Sequence, residues 1–172
     1  MTQSRALEIL KTGANVFLTG EPGAGKTHRV IEYLRYLRAR KIDAAVTAST
    51  GIAATHINGM TIHSWSGVGI RPSLSKYEVE EIASREYVAK RILRAKVLVI
   101  DEVSMLGAYM IDMVDAVTKA VKGNERPFGG LQVIFVGDFF QLPPVNRERE
   151  KISFAYDAPA WAAAAPVACY LT

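Results

Sequence analysis

Cysteine is almost missing from this sequence. Cys169 is the only one in 172 residues, so no disulfide can form within the chain, and a reducing, intracellular setting is expected. Long apolar runs are missing too. No stretch approaches the ~20 residues that span a bilayer. The polar opening Met1-Thr2-Gln3-Ser4-Arg5 carries no apolar signal-peptide core, so no membrane partner is expected. There are no repeats and no low-complexity linkers, and the length suits one domain with a full core. What remains is ordinary: 49% apolar and 22% charged residues, the balance of a soluble globular protein. The net charge of +4 permits an anionic partner such as nucleic acid without requiring one.

Strands and helices alternate along the chain. Residues 15–19, 44–48, 97–100, 133–136 and 167–171 read as short apolar strands. Lys26 to Arg40 reads as a helix with Val30, Leu34 and Leu37 on one face. A short helix is expected over 52–57. A longer one starts at the capping-box spacing Ser75-Lys76-Tyr77-Glu78 and runs to about Arg94. Met110, Val114, Val117 and Val121 mark another helix, stopped by Gly123. This order predicts an α/β domain, a parallel sheet with helices on both faces. In such sheets ligands bind beyond the carboxyl ends of the strands.

The first strand runs into Gly20-Glu21-Pro22-Gly23-Ala24-Gly25-Lys26-Thr27, the pattern GxxxxGKT. Glycines let the backbone curl its N–H groups around an anion, and the helix N-terminus adds partial positive charge. Lys26 is expected to reach the β- and γ-phosphates of ATP, and the Thr27 hydroxyl to hold Mg²⁺. The plain alternative is a Gly-Pro turn. The third strand ends in Asp101-Glu102, where Asp101 would meet Mg²⁺ through water and Glu102 would activate the attacking water. An ordinary surface acid pair is the competing reading.

The fourth strand ends in Gly137-Asp138-Phe139-Phe140-Gln141. In phosphate-loop folds with a catalytic glutamate, this strand inserts between the acid strand and the phosphate-loop strand. Gln141 would then donate to a γ-phosphate oxygen and accept from the attacking water. Phe139, Phe140, Pro143 and Pro144 would stiffen its loop. After the second strand, small residues around Thr50 and Gly51 permit close backbone approach. Thr50, Thr61, His63 and Ser64 can contact phosphate and sugar, and Trp65 can stack on a base or brace His63. The alternative there is a helix N-cap at Ser49 or Thr50, a core tryptophan and a satisfied histidine.

Together FLTGEPGAGKT, ASTGIAATHINGMTIHSWSG, VLVIDEVSM and FGGLQVIFVGDFFQLPPV, in this order, resemble the Pif-one family of superfamily 1B DNA helicases over most of residues 15–145. FAYDAPAW resembles the stretch that follows the glutamine motif there. The resemblance implies the first RecA-like domain of a phosphate-loop NTPase that hydrolyses ATP with Mg²⁺. It implies a motor moving 5′ to 3′ on single-stranded DNA, often unwinding G-quadruplexes or RNA–DNA hybrids.

The same resemblance places nucleotide contacts at Gln3, Gly20, Pro22, Gly23, Ala24, Gly25, Lys26, Thr27 and His28. Gln3 sits where the family reads adenine; a solvated N-terminal residue is the alternative. DNA contacts fall on Thr50, Gly51, Thr61, His63, Ser64, Trp65 and Pro143. Residues 146–153 lie where the family carries a strand-separating wedge, here short and equally suited to a solvated loop. Arg85, Lys90, Arg91, Arg94 and Lys96 read as a solvated helix face. A second RecA-like domain, which supplies arginines to the nucleotide site, is expected beyond this chain, with single-stranded DNA as the other partner and a monomer as the state. The implied setting is cytoplasmic and nucleoid-associated in a bacterium, or nuclear or mitochondrial in a eukaryote. A stand-alone ATP-responsive nucleic-acid binder remains an alternative; a small kinase is disfavoured because neither lid nor acceptor pocket is visible.

Overall fold

A computed structural model describes residues 1–141, 144 and 152–172. Strand β1 (Val16–Gly20) leads to helix α2 (Lys26–Ala39), preceded by α1 (Gln3–Lys11). Then follow β2 (Ala44–Ala48), α3 (Gly51–His56), β3 (Met60–Thr61) and α4 (Ile62–Ser66). Helices α5 (Lys76–Ser84) and α6 (Glu86–Arg94) precede β4 (Val97–Asp101), and α7 (Ala108–Lys122) precedes β5 (Gln132–Val136). Helix α8 (Pro159–Ala164) and β6 (Val167–Leu171) complete the order. The six strands form one sheet, β3-β2-β4-β5-β1-β6, with every described pairing parallel.

Each central strand sends alternate residues to opposite faces, and each face has its own core. Leu98, Ile100, Val133 and Phe135 face α4 to α8, while Val97, Val99, Ile134 and Val136 join Val16 and Leu18 against α1 and α2. Helices therefore cover both faces, as the order of elements implies. On the first face Phe135 stacks on Trp161 at 4.1 Å between ring centroids. On the second, Gln132 is a buried polar node. Its amide donates to the Leu10 and Ala14 carbonyls at 3.0 and 2.8 Å and accepts from the Tyr33 hydroxyl at 2.7 Å. A buried amide satisfied this way ties α1, α2 and β5 together, its hydrogen bonds offsetting the cost of its desolvation.

Two expectations need correction. The helix from Ser75 is two helices, because Arg85 has extended backbone (φ −67°, ψ 120°). The Ser75–Glu78 capping box is present at the start of α5. The segment after Gly59 also holds a two-residue strand and a short helix, α4, that were not expected.

Candidate nucleotide and nucleic-acid site

The phosphate loop is shaped by backbone that side chains resist. Gly23 and Gly25 have φ of 80° and 90°, a region open to glycine at little cost. Gly25 precedes α2 and offers no side-chain cap, so the first-turn N–H groups of a 14-residue helix face outward for an anion. The Lys26 ammonium donates to the carbonyls of Gly20 at 2.6 Å and Glu21 at 3.1 Å, which holds it over the mouth of the loop. Glu21, Pro22, Gly23, Thr27 and His28 are exposed around that mouth, and Gly20 is buried beneath it against Leu171.

The acid pair stands two strands away. Asp101 ends β4, and its carboxylate accepts the Glu102 N–H at 2.9 Å. Burial pushes the Asp101 carboxyl above the ordinary range; the neighbouring Glu102 charge adds to this, while that N–H and Lys26 oppose it. Lys26, Asp101 and Glu102 thus lie within electrostatic reach of one another. Glu102 itself has φ 51° and ψ 41°, a left-handed conformation costly for a residue with a Cβ and often found at functional sites.

Strand β5 pairs with β4 on one side and β1 on the other. Its tip emerges between the acid pair and the phosphate loop. Gly137 continues the ladder to Leu18 at 3.1 Å. The Asp138 carboxylate accepts the Phe140 N–H at 2.9 Å, and the Asp138 carbonyl accepts the Gln141 N–H at 3.1 Å. Phe139 packs on Phe17, Tyr156 and Trp161 and anchors the turn. Phe140 does not, being 97% exposed, which corrects the expectation that both phenylalanines brace it. Gln141 is exposed on this turn. Asp138 was overlooked in the sequence, although an aspartate two residues before an N–H it can accept is a known turn signal. Pro143 lies outside the described residues, as do residues 146–151 of the wedge segment 146–153; Ser153 accepts the Ala108 N–H at 3.2 Å.

Residues 49–66 flank the same end of the sheet. The Ser49 N–H donates to the Asp101 carbonyl at 3.1 Å, joining this region to the acid strand. Thr50 and Thr61 use their hydroxyls as N-caps of α3 and α4, accepting from Ala53 and Ser64 at 3.2 Å each. Gly51 and Ser64 are exposed. His63 is half-buried, and burial lowers its pKa, favouring a neutral ring. Trp65 needs correction: it is 3% exposed, in the core with Ile62, Val68 and Ile92. Its spacing from Ile62 puts both on the inner side of α4, so it is not available to stack on a base. Arg91 needs correction as well. Its guanidinium donates to the Trp65 carbonyl at 2.7 Å and to that of Ser64, capping the C-terminus of α4. Arg85 pairs with Glu81 at 3.0 Å, whereas Lys90, Arg94 and Lys96 are exposed as expected.

Gln3 opens α1 beside the phosphate loop and donates to the Ala24 carbonyl at 3.0 Å. It is not the free, solvated residue of the plain alternative. For Mg²⁺, the donor set offered is the exposed Thr27 hydroxyl and the partly buried Asp101 carboxylate. Among the described residues no three His, Cys, Asp or Glu side chains gather as a metal cage. That suits Mg²⁺, which keeps several waters and takes substrate phosphates in place of a full protein shell.

A glycine loop at a helix N-terminus, a lysine over it, an acid pair two strands away and a glutamine on the strand between define a phosphate-loop NTPase domain of the RecA-like kind. The PIF1-like helicase family model matches residues 4–167. The ATP-dependent DNA helicase Pif1 of Psychrobacter sp. (strain PRwf-1) is 50% identical across the whole chain, which covers 26% of that protein. ATP-dependent DNA helicase PIF1 of Saccharomyces cerevisiae (strain YJM789) is 38% identical over 92% of the chain and 19% of its own length. The crystal structure of Pif1 helicase from Candida albicans superposes with a TM-score of 0.91 at 34% identity, covering 98% of this chain and 38% of that one. Bacteroides Pif1 in complex with ADP-AlF3 and ssDNA gives 0.83 at 32% identity, covering 99% and 41%. The chain belongs to the PIF1-like helicase family, and it spans about a quarter of the Psychrobacter relative's length.

Proposed function

We propose that this chain is the ATP-binding half, the first RecA-like domain, of a DNA helicase that hydrolyses Mg·ATP and moves 5′ to 3′ along single-stranded DNA. The observation that carries this is the order β4-β5-β1, which brings Asp101-Glu102, Gln141 and the Lys26 loop to adjacent strand tips. Lys26 and the first-turn N–H groups of α2 bind the phosphates. Glu102 takes the proton of the attacking water, a role worth ~10² to 10⁴ in rate. Gln141 orients that water against the γ-phosphate. Thr27, and Asp101 through water, would hold Mg²⁺, which would supply charge neutralisation to the bound phosphates. DNA backbone lies along α3 and α4, at Thr50, Gly51, Thr61, His63 and Ser64. The two names and the ssDNA complex among its relatives support the same reading, as does the polarity of the resembled family; G-quadruplex unwinding is a further activity to assay in the parent protein.

The remaining arginines belong to a second domain, and such a group is worth ~10³ to 10⁵ in rate. This chain is therefore expected to bind nucleotide, turn over very slowly and not unwind. The experiment is ATP hydrolysis with and without single-stranded DNA, with Glu102→Gln as control. Fast, DNA-stimulated turnover that Glu102→Gln abolishes would show that the site is completed by another copy of the chain. Failure to bind any nucleotide would remove the reading.

A further inference from the structure

Strand β2 is covered on its outer side for only half its length. The two-residue β3 pairs with Thr47 and Ala48, and among the described residues no strand lies beside Ala44 to Val46 on that side. Backbone groups of successive strand residues point to opposite sides within the plane of the sheet. The Asp43 carbonyl accepts the Lys96 N–H at 2.8 Å, so Asp43 and Ala45 face β4, while Ala44 and Val46 face outward. Gly59, just before β3, agrees with this: a Cβ there would collide with the Val46 carbonyl oxygen. The Ala44 N–H, the Ala44 carbonyl and the Val46 N–H therefore line an open edge. Such an edge is a template for an added strand.

A cleft lies on each face of this edge. One, of about 320 Å³, is lined by Ala45, Met60, Trp65 and Arg94 among others. The other, of about 280 Å³, is lined by Leu34, Arg38, Lys41 and Ile42. Ala45 and Ala44 belong to opposite faces, and their small side chains leave both clefts open. Both clefts are basic. Arg38, Lys41 and Arg94 are exposed and have no ion-pair partner among the described residues. Asp43 is the one carboxylate lining either cleft. Side chains of an extended segment alternate between faces. Two adjacent acidic residues would thus enter one cleft each, the first toward Arg94 and the second toward Arg38 and Lys41.

DNA suits this surface less well. The clefts lie at the amino ends of β2 and β4, whereas the phosphate loop and Thr50 to Ser64 lie at the carboxyl ends. A phosphodiester backbone also has no donor for the Ala44 carbonyl, and a peptide backbone has one. We propose that the open half of β2 is a docking site for an extended acidic segment of a partner protein. The segment adds a strand beside Ala44 to Val46 and sets adjacent carboxylates in the two basic clefts. Main-chain bonds give the affinity and the clefts give the specificity.

The test is NMR titration of the 172-residue chain, without nucleotide, with a capped hexapeptide carrying two adjacent glutamates flanked by valine and threonine. The expected result is saturable shifts of the Ala44, Ala45 and Val46 amides, with hydrogen exchange slowed at Ala44 and Val46. Arg94→Glu, and Arg38→Glu combined with Lys41→Glu, should each weaken binding about five-fold, the upper range for an exposed ion pair. Methylating one alternate set of the peptide's backbone nitrogens should weaken binding about ten-fold, and methylating the other set should leave it unchanged. Full binding by both methylated peptides would overturn the proposal and leave a contact of charge alone. Binding that neither charge reversal weakens would overturn the acidic preference. A single-stranded oligothymidylate that shifts the same amides and displaces the peptide would make the surface a nucleic-acid contact instead. Amides that do not shift at millimolar peptide would remove the site.

Discussion

Asp138 holds Gln141 in place through the backbone: its carbonyl accepts the Gln141 N–H at 3.1 Å while its carboxylate accepts the Phe140 N–H at 2.9 Å. The turn that aims the glutamine is therefore fixed from inside, by a buried aspartate. Replacing Asp138 with alanine should loosen the turn and replacing it with asparagine should preserve it, since an asparagine oxygen accepts equally well. In a Glu102→Gln background, Asp138→Ala and Gln141→Ala are both expected to reduce preference for ATP over ADP about five-fold, one hydrogen bond's worth. Equilibrium titration with both nucleotides reads this directly. Equal preference in wild type and Gln141→Ala would rule out a γ-phosphate contact.

Asp101 is the clearest electrostatic liability in the fold. Its folded pKa is raised, chiefly by burial, so the folded state binds its proton more tightly than the unfolded chain does. The contribution to stability is then fully present below the unfolded pKa and is lost as pH rises through the folded one. Asp101→Asn should melt higher than wild type at neutral pH while losing hydrolysis. The difference should shrink as pH falls toward the ordinary aspartate range. Melting curves across pH check both the sign and the window.

His63 has the opposite sign. Burial lowers its pKa, so its contribution to stability is present above the unfolded value and is lost as pH falls through the folded value. Near neutral pH the ring is uncharged and adds no counterion release to DNA binding. His63→Gln should therefore leave the salt slope of single-strand binding unchanged near pH 7.5. Proton NMR of the ring should titrate below the unperturbed histidine. A steep change in the slope would place a charge there.

Arg91 serves as a C-cap of α4 from a neighbouring helix. Its two bonds to the Ser64 and Trp65 carbonyls depend on a planar fork that lysine lacks. Arg91→Ala should cost about 1.5 to 3 kcal/mol, the range for hydrogen bonds to a charged group, and Arg91→Lys should recover only part of it. Chemical denaturation measures this. Loss of the cap should also weaken single-strand binding, because α4 presents His63 and Ser64.

The central strands were legible because burial on both faces writes itself as unbroken apolar runs, Val97-Leu98-Val99-Ile100 and Val133-Ile134-Phe135-Val136. The phosphate loop, the acid pair and the glutamine were legible because each follows such a run. The break at Arg85 was not, since no glycine or proline marks it. Its cause is tertiary: a Cβ on Gly67 would lie 2.8 Å from Ile82 and 3.0 Å from Val88, so both side chains close on one spot. On a straight helix, residues six apart point roughly 120° away from each other. The chain turns at Arg85 and brings them together. Trp65 was misread for a similar reason. Surrounded by His63, Ser64 and Ser66, it looks exposed in sequence, and only the packing of α4 on α6 and α7 shows it to be core. The cap by Arg91 crosses 27 residues in one of its bonds, beyond any local pattern.

The bond from the Val133 N–H to Asn15 spans 118 residues, and the strand it begins is the one that stands between the phosphate loop and the acid pair. As the chain is synthesised, the complete GxxxxGKT sequence leaves the ribosome long before β5 exists. A parallel neighbour so far away must be found by closing a long loop, a slow step on the scale of domain folding. The nucleotide site thus matures only once β5 has been made, and earlier fragments carry its signature residues without the sheet that aligns them. Nucleotide, when it binds, selects chains that have already finished folding and stabilises them by mass action.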